Sequence, residues 1–332
     1  MAKIAVLGAG SWGSAQANHL RKAGHEVVLW GWGPDCEILR ELAAHRVHKF
    51  FPGITFAEGI QVTDDICKAV QDRDIVVMAV PSQAMRSVAH SISETLDRHT
   101  VVLNTAKGLE QVTLCRMSEV LYQELGYLER LTVLSGPSFA REVAAGLPTA
   151  VTVAGYTRQA IEAVKNAYHH GRMRIYTSND IIGVELGGTL KNIIALATGI
   201  VDGCGMGDNC RAALLTRALV EMSRLVVALG GQEATMQGLS GLGDMILTST
   251  GDQSRNRQVG LRLGAGESLQ DILHSMEQVA EGVYTARSGM ELAKANNVDC
   301  PIIAETNMVL EGQHTVQEAV QVLFARSPKK EH

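Results

Sequence analysis

Aromatic residues are scarce in this 332-residue chain, 4% of the total, so any core it builds must be aliphatic. Positive charge is not in excess either. Thirty Lys plus Arg face thirty-five Asp plus Glu, a net charge of −5, whereas a dedicated nucleic-acid binder usually shows a strongly basic face. The 46% hydrophobic and 20% charged content is globular and opposite to what disorder requires. Six cysteines, Cys36, Cys67, Cys115, Cys204, Cys210 and Cys300, form no CxxC pair, and none has a histidine partner at zinc spacing. They read as reduced thiols of a cytoplasmic protein, and no metal is expected. No long uninterrupted apolar run occurs. Ile4 to Leu7 is too short for a signal-peptide core, and Leu186 to Val201 is broken by Lys191 and Asn192. Nucleic acid and a membrane span are therefore not expected.

What is present is a pattern of alternation. Lys3–Leu7, Glu26–Trp30, Ile75–Val80, Val101–Asn104, Leu131–Ser135, Ala150–Ala154 and Arg174–Thr177 read as strands. Several are apolar on both faces, as in a parallel sheet covered by helices. Amphipathic stretches lie between them, at 14–23, 64–71, 83–96, 114–125 and 158–168. The alternation predicts an α/β fold with an N-terminal doubly wound Rossmann-type sheet over residues 1–178. From about Asn179 strand signals vanish and long helical segments take over, giving an all-helical C-terminal domain over 179–325. Residues 326–332 read as a solvated basic tail.

Gly8-Ala9-Gly10-Ser11-Trp12-Gly13 follows the first strand and opens the first helix. Gly8 permits the tight turn, Gly10 lets backbone approach a pyrophosphate, and Gly13 allows close helix–strand packing. The N–H groups and dipole of the helix N-terminus favour negative phosphates. In this strand–turn–helix context the motif predicts a bound dinucleotide. The second strand ends in Trp30-Gly31-Trp32-Gly33-Pro34-Asp35, with neither a carboxylate nor an arginine at the strand end. Nothing there excludes NADP or grips its phosphate, so dual use of NAD and NADP is expected. Trp32 can stack on adenine or simply cover the sheet edge; Lys49 is a candidate cation for a 2′-phosphate.

Four further segments place polar groups where the pattern expects none. They are Thr105-Ala106-Lys107-Gly108-Leu109 and Ser135-Gly136-Pro137-Ser138-Phe139-Ala140 after strands, Lys191-Asn192 within an apolar helix, and Gly241–Thr248 followed by Ser254-Arg255-Asn256-Arg257. Singly, each has a plain structural explanation. Lys107 can be a solvated loop lysine, Lys191 can snorkel, Asp244 can cap a helix and Arg255 can be a surface charge. For Lys191 that explanation is the hardest to hold, because an ammonium buried without a partner is costly and a lowered amine pKa is what a general base needs.

Together the strings GAGSWG, TAKGLE, SGPSFAREVAAGLPTA, GVELGGTLKNIIALATGIVDG and GLGDMILTSTGDQSRNR resemble the NAD(P)-dependent glycerol-3-phosphate dehydrogenases over nearly the whole chain. The resemblance implies hydride transfer between NAD(P)H and dihydroxyacetone phosphate, giving sn-glycerol 3-phosphate for phospholipid synthesis. It implies Lys191 as proton acceptor, with Lys107 and Asp244 in the chemistry. Gly136, Ser138, Asn192, Thr248, Ser254, Arg255 and Asn256 are implied at the substrate. At the cofactor it implies Ser11, Trp12, Lys107, Ala140, Arg255, Val279 and Glu281, beside Gly8, Gly10, Gly13 and Trp32. Many members carry His or Arg where Trp32 stands. A homodimer is expected. Two rivals stay open: another two-domain dehydrogenase acting on a phosphorylated or carboxylated hydroxy acid, and a nucleotide-binding sensor without catalysis.

Overall fold

The computed structural model describes residues 1–277 and 279–327, without the side chain of Pro34. Within the expected tail, residues 328–332 lie outside the described residues, while Arg326 donates to Asp299 at 2.5 Å. The chain forms two compact units, Met1–Glu110 with Cys115–Leu186, and Gln111–Leu114 with Gly187–His332. Strands end at Ser178 and the next helix begins at Ile181, while the division into units falls inside that helix.

The first unit is built on eight strands: β1 (Lys3–Leu7), β2 (Glu26–Trp30), β3 (Ile60–Thr63), β4 (Ile75–Met78), β5 (Val101–Asn104), β6 (Leu131–Ser135), β7 (Thr149–Gly155) and β8 (Met173–Ser178). Their order is β3-β2-β1-β4-β5-β6-β7-β8. The first six strands, in parallel, reproduce the dinucleotide-binding order 3-2-1-4-5-6, with the chain reversing direction across the sheet at β1/β4. Alternation along β1 sends Ile4 and Val6 into one hydrophobic layer and Ala5 and Leu7 into the other. Both layers are dominated by Val, Ile, Leu and Ala, as the shortage of aromatics requires. Each such branched side chain contributes roughly 1.5–3 kcal/mol on burial.

Two features depart from the expected sheet. β3 does not stand out in the sequence because Ile-Gln-Val-Thr is a short edge strand, half exposed. The β6–β7 junction is antiparallel. Its connecting helix, Ala140–Ala145, has six residues, about 9 Å of helix. That is too short to carry the chain back along a seven-residue strand of about 23 Å. The chain therefore re-enters the sheet in the opposite sense.

In the second unit the described residues form helices and turns. The Ile181–Gly203 helix, which starts in the first unit, is long and apolar enough to cross a membrane by length alone, yet its most apolar stretch is 94% buried. Its second half packs backbone to backbone on the Arg255–Gly264 helix through paired glycines. A Cβ on Gly199 would sit 2.2 Å from the Arg257 carbonyl oxygen, and one on Gly260 would sit 2.2 Å from that of Leu196. Gly203 and Gly264 repeat the contact one turn on. Side chains at these four positions would push the helices apart.

Candidate active site

At the end of β1 the structure requires glycine at two of the three motif positions and leaves the third open. Gly8 has φ +112°, and a Cβ there would lie 2.6 Å from the Ala79 carbonyl oxygen. A Cβ on Gly13 would lie 1.9 Å from the Gly8 carbonyl oxygen, so only glycine closes the turn onto the Ser11–Lys22 helix. Gly10 is different: a Cβ there meets nothing within 4 Å. It precedes a helix with no side-chain cap and no acidic residue in its first turn, while His19, Arg21 and Lys22 stand at the far end. This polarity suits an anion at the N-terminus. The Trp12 indole Nε1 is buried and has no hydrogen-bond partner among the described residues. An open glycine, an uncapped helix start and an orphaned donor together fit a dinucleotide's phosphates.

The segment after β2 corrects one expectation from sequence. No carboxylate follows Trp30 directly, but the chain turns back and delivers one. Asp35 accepts the Ala9 N–H at 3.3 Å, and a Cβ built on Gly31 would lie 2.7 Å from the Asp35 Cβ. The carboxylate thus occupies the strand end in space, supplied from four residues downstream. Burial raises its pKa, which the Ala9 hydrogen bond and the field of Lys49 partly offset. Trp32 stacks on Trp30 with centroids 5.0 Å apart and stays 37% exposed, so one face covers the sheet edge. Lys49 lies 5.0 Å over the Phe50 ring. Its neighbour His48 is buried among Phe50, Phe51 and Phe56. His48 Nδ1 accepts the Phe50 N–H at 3.2 Å, leaving Nε2 to donate to the Ala9 carbonyl at 3.4 Å. Burial pushes this imidazole down to about 4, so it is neutral at pH 7.

The loops after β5 and β6 meet. Lys107 Nζ donates to the Gly136 carbonyl at 3.2 Å, and Ser138 Oγ donates to the same oxygen at 3.0 Å. Gly136 holds φ +136°, with Val151 Cα 3.0 Å from where a Cβ would stand. Ala140 is the first residue of the short helix that follows. The Lys107 loop is anchored by a buried carboxylate that sequence reading missed. Glu185 accepts from Ser118 N–H at 2.8 Å, Ser118 Oγ at 2.6 Å, Arg116 at 2.9 Å and Asn104 Nδ2 at 3.2 Å. Asn104 Oδ1 in turn accepts the Ala106 N–H.

In the second unit Lys191 is 7% exposed but has partners. Its Nζ lies 2.6 Å from Thr248 Oγ1 and 3.1 Å from Asp244 Oδ1, and Thr248 Oγ1 donates to that same carboxylate oxygen at 3.2 Å. Asp244 and Thr248 lie one turn apart on the Asp244–Thr250 helix, which follows the π-helical turn Leu239–Gly243. The neighbouring Asn192 Oδ1 accepts Asn256 Nδ2 at 2.9 Å, and Asn256 Oδ1 accepts the Gly282 N–H at 2.9 Å. Three helices are tied together by these two amides. Arg255 is exposed, with one guanidinium nitrogen donating to the Val279 carbonyl at 2.7 Å; Glu281 begins the helix just beyond. Ser254 Oγ accepts the Arg257 N–H and so caps the Arg255–Gly264 helix. Arg257 is a separate matter, paired with Asp202 and Asp252. Among the described residues no group of three or more His, Cys, Asp or Glu could hold a metal ion.

Models of the N-terminal and C-terminal regions of NAD-dependent glycerol-3-phosphate dehydrogenase match residues 3–161 and 180–321. The chain belongs to this family. A relative from Geobacter sp. (strain M21), named glycerol-3-phosphate dehydrogenase [NAD(P)+], is 46% identical over 99% of this chain and 98% of its own length. One of the same name from Moorella thermoacetica is 48% identical over 97% of this chain and 96% of its own. The crystal structure of glycerol-3-phosphate dehydrogenase from Coxiella burnetii superposes with a TM-score of 0.93 at 39% identity, covering 98% of this chain and 99% of that one. Membership of the family separates this chain from the more distant two-domain dehydrogenases kept open above.

Proposed function

We propose that this protein interconverts dihydroxyacetone phosphate and sn-glycerol 3-phosphate with NADH or NADPH, as the family to which it belongs implies. The observation that carries the mechanism is the buried Lys191–Asp244–Thr248 cluster. The nicotinamide, when bound, supplies the hydride. Reducing a ketone puts negative charge on its oxygen, so a donor must meet that oxygen. Lys191 is assigned to this task, with its ammonium Nζ delivering the proton and taking it back in the reverse direction. Asp244 stabilises the protonated amine and, with Thr248, fixes its direction. Lys107 is assigned a supporting positive charge, held toward the Gly136–Ser138 turn. Arg255 offers a planar fork for phosphate oxygens, and Asn256 is assigned the second N–H of the amide that bonds Asn192.

Gly8, Gly10, Ser11, Trp12 and Gly13 are assigned to the dinucleotide phosphates. Trp32, Ala140, Val279 and Glu281 join them on the family pattern. A homodimer, a cytoplasmic location and supply of phospholipid synthesis belong to the same reading. The test follows the loss of reduced nicotinamide with dihydroxyacetone phosphate as acceptor. Turnover with either cofactor is expected, and its absence with both overturns the reading.

A further inference from the structure

The standard device by which a dinucleotide fold tells NAD from NADP is an acidic side chain at the tip of the second strand. It accepts hydrogen bonds from the adenosine ribose and repels a 2′-phosphate. Here that tip is Gly31, which has no side chain. The space a side chain at Gly31 would enter is already filled. A Cβ there would lie 2.7 Å from Asp35 Cβ, 3.2 Å from Asp35 Oδ2 and 2.9 Å from Ala9 Cβ. The backbone makes room for this. Gly33 takes φ +51°, the Asp35 N–H donates to the Trp32 carbonyl at 3.0 Å, and the short helical turn Gly33–Asp35 swings the carboxylate back toward β1. Its oxygen then takes the N–H of Ala9, the residue between the first two motif glycines.

The turn is held from its other side as well. Ser14 Oγ and His48 both donate to the Ala9 carbonyl. Ala9 is therefore clamped through both backbone groups, and the clamp carries one negative charge. The neutral His48 adds none, whereas Lys49 lays a positive field over Asp35.

We infer that Asp35 is the residue by which this protein weighs NADH against NADPH, its carboxylate standing in for the missing acidic side chain at Gly31. The inference rests on the nicotinamide-dependent reading above, and it names a residue outside the sequence-predicted set. A carboxylate at this place accepts a ribose hydroxyl and opposes a 2′-phosphate dianion. Lys49 offsets part of that opposition in wild type and variant alike, so removing the carboxylate alone isolates its share.

The test is equilibrium binding, read by calorimetry without turnover. NADH and NADPH are titrated into the wild type, Asp35→Asn and Asp35→Ser. Adenosine 5′-monophosphate and adenosine 2′,5′-bisphosphate serve as fragments that lack the nicotinamide. Both variants keep a group able to accept the Ala9 N–H and lose the charge. The expected result is a shift of the affinity ratio toward NADPH by about ten- to a hundredfold, the scale of one unit charge near a phosphate in partly exposed ground. The same shift is expected toward the bisphosphate fragment. An unchanged ratio overturns the inference, and so does an equal loss of both cofactors, which would make Asp35 only a brace for the turn. Failure of both variants to fold would have the same meaning. If the wild type binds neither nicotinamide cofactor, the failure lies with the functional reading instead.

Discussion

Replacing Lys191 with methionine removes the proposed proton donor and also strips a buried carboxylate of its ammonium. The two consequences can be separated by the geometry. Lys191 and Asp244 side chains are 8% and 2% exposed and 3.1 Å apart. Removing one partner of a buried pair typically costs about 3–5 kcal/mol, because the remaining charge is left in a poor medium. Here Thr248 still donates to Asp244, which places the expected loss toward the lower end of that range. Adding Asp244→Asn to Lys191→Met removes the leftover charge and should restore most of the stability. Activity should not follow. Loss of general acid–base catalysis alone lowers kcat by about a hundred- to ten-thousandfold, and a neutral asparagine beside methionine supplies no transferable proton. The assay pairs chemical denaturation with steady-state kinetics on wild type, Lys191→Met and the double variant, with NADPH affinity as a check on the first unit. If the double variant recovers both stability and a kcat within tenfold of wild type, Lys191 is a structural lysine and the mechanism is wrong.

Four further variants each have a defined expected outcome. Gly10→Ala should fold normally but bind dinucleotide more weakly, since its Cβ enters open space. Gly13→Ala should lose the turn itself, its Cβ lying 1.9 Å from a carbonyl oxygen; equal thermal stability of the two variants would contradict this. Arg255→Lys should raise KM for dihydroxyacetone phosphate more than it lowers kcat, while unphosphorylated dihydroxyacetone is little affected; equal loss with both would move Arg255 off the phosphate. His48, held near 4 against 6.5 when unfolded, stabilises the fold as the neutral ring. Its contribution is complete above pH 6.5 and is lost as pH falls to 4, about 3 kcal/mol in all. His48→Gln should flatten this part of the denaturation–pH profile, and an unchanged slope would show that other groups set it.

What the sequence made legible were features written in consecutive residues. The steric need for glycine at Gly8 and Gly13 was legible because it follows from position within a strand–turn–helix. Lys191 stood out because an ionisable group in an apolar helix demands a reason, and Asp244 and Thr248 prove to be its partners. Features made by the chain folding back were hidden. Asp35 reads as a loop acid until the turn at Gly33 returns it to Ala9. No local pattern singles out Glu185, yet it collects four hydrogen bonds from Asn104, Arg116 and Ser118. The glycine pairs that let the Ile181–Gly203 and Arg255–Gly264 helices touch lie far apart along the chain, and only their meeting gives them meaning. β3 was lost for the opposite reason, since a four-residue edge strand needs little hydrophobicity and shows little pattern.

In the proposed reaction the nicotinamide gives its hydride to the carbonyl carbon of a phosphorylated ketone, and the buried Lys191 of the helical unit gives the proton to its oxygen. The deciding comparison is kcat/KM for dihydroxyacetone phosphate against that for a panel of 2-keto acids, in wild type and Lys191→Met. Turnover is expected with dihydroxyacetone phosphate alone, falling at least a hundredfold in the variant. Efficient reduction of a 2-keto acid with none of dihydroxyacetone phosphate would contradict it.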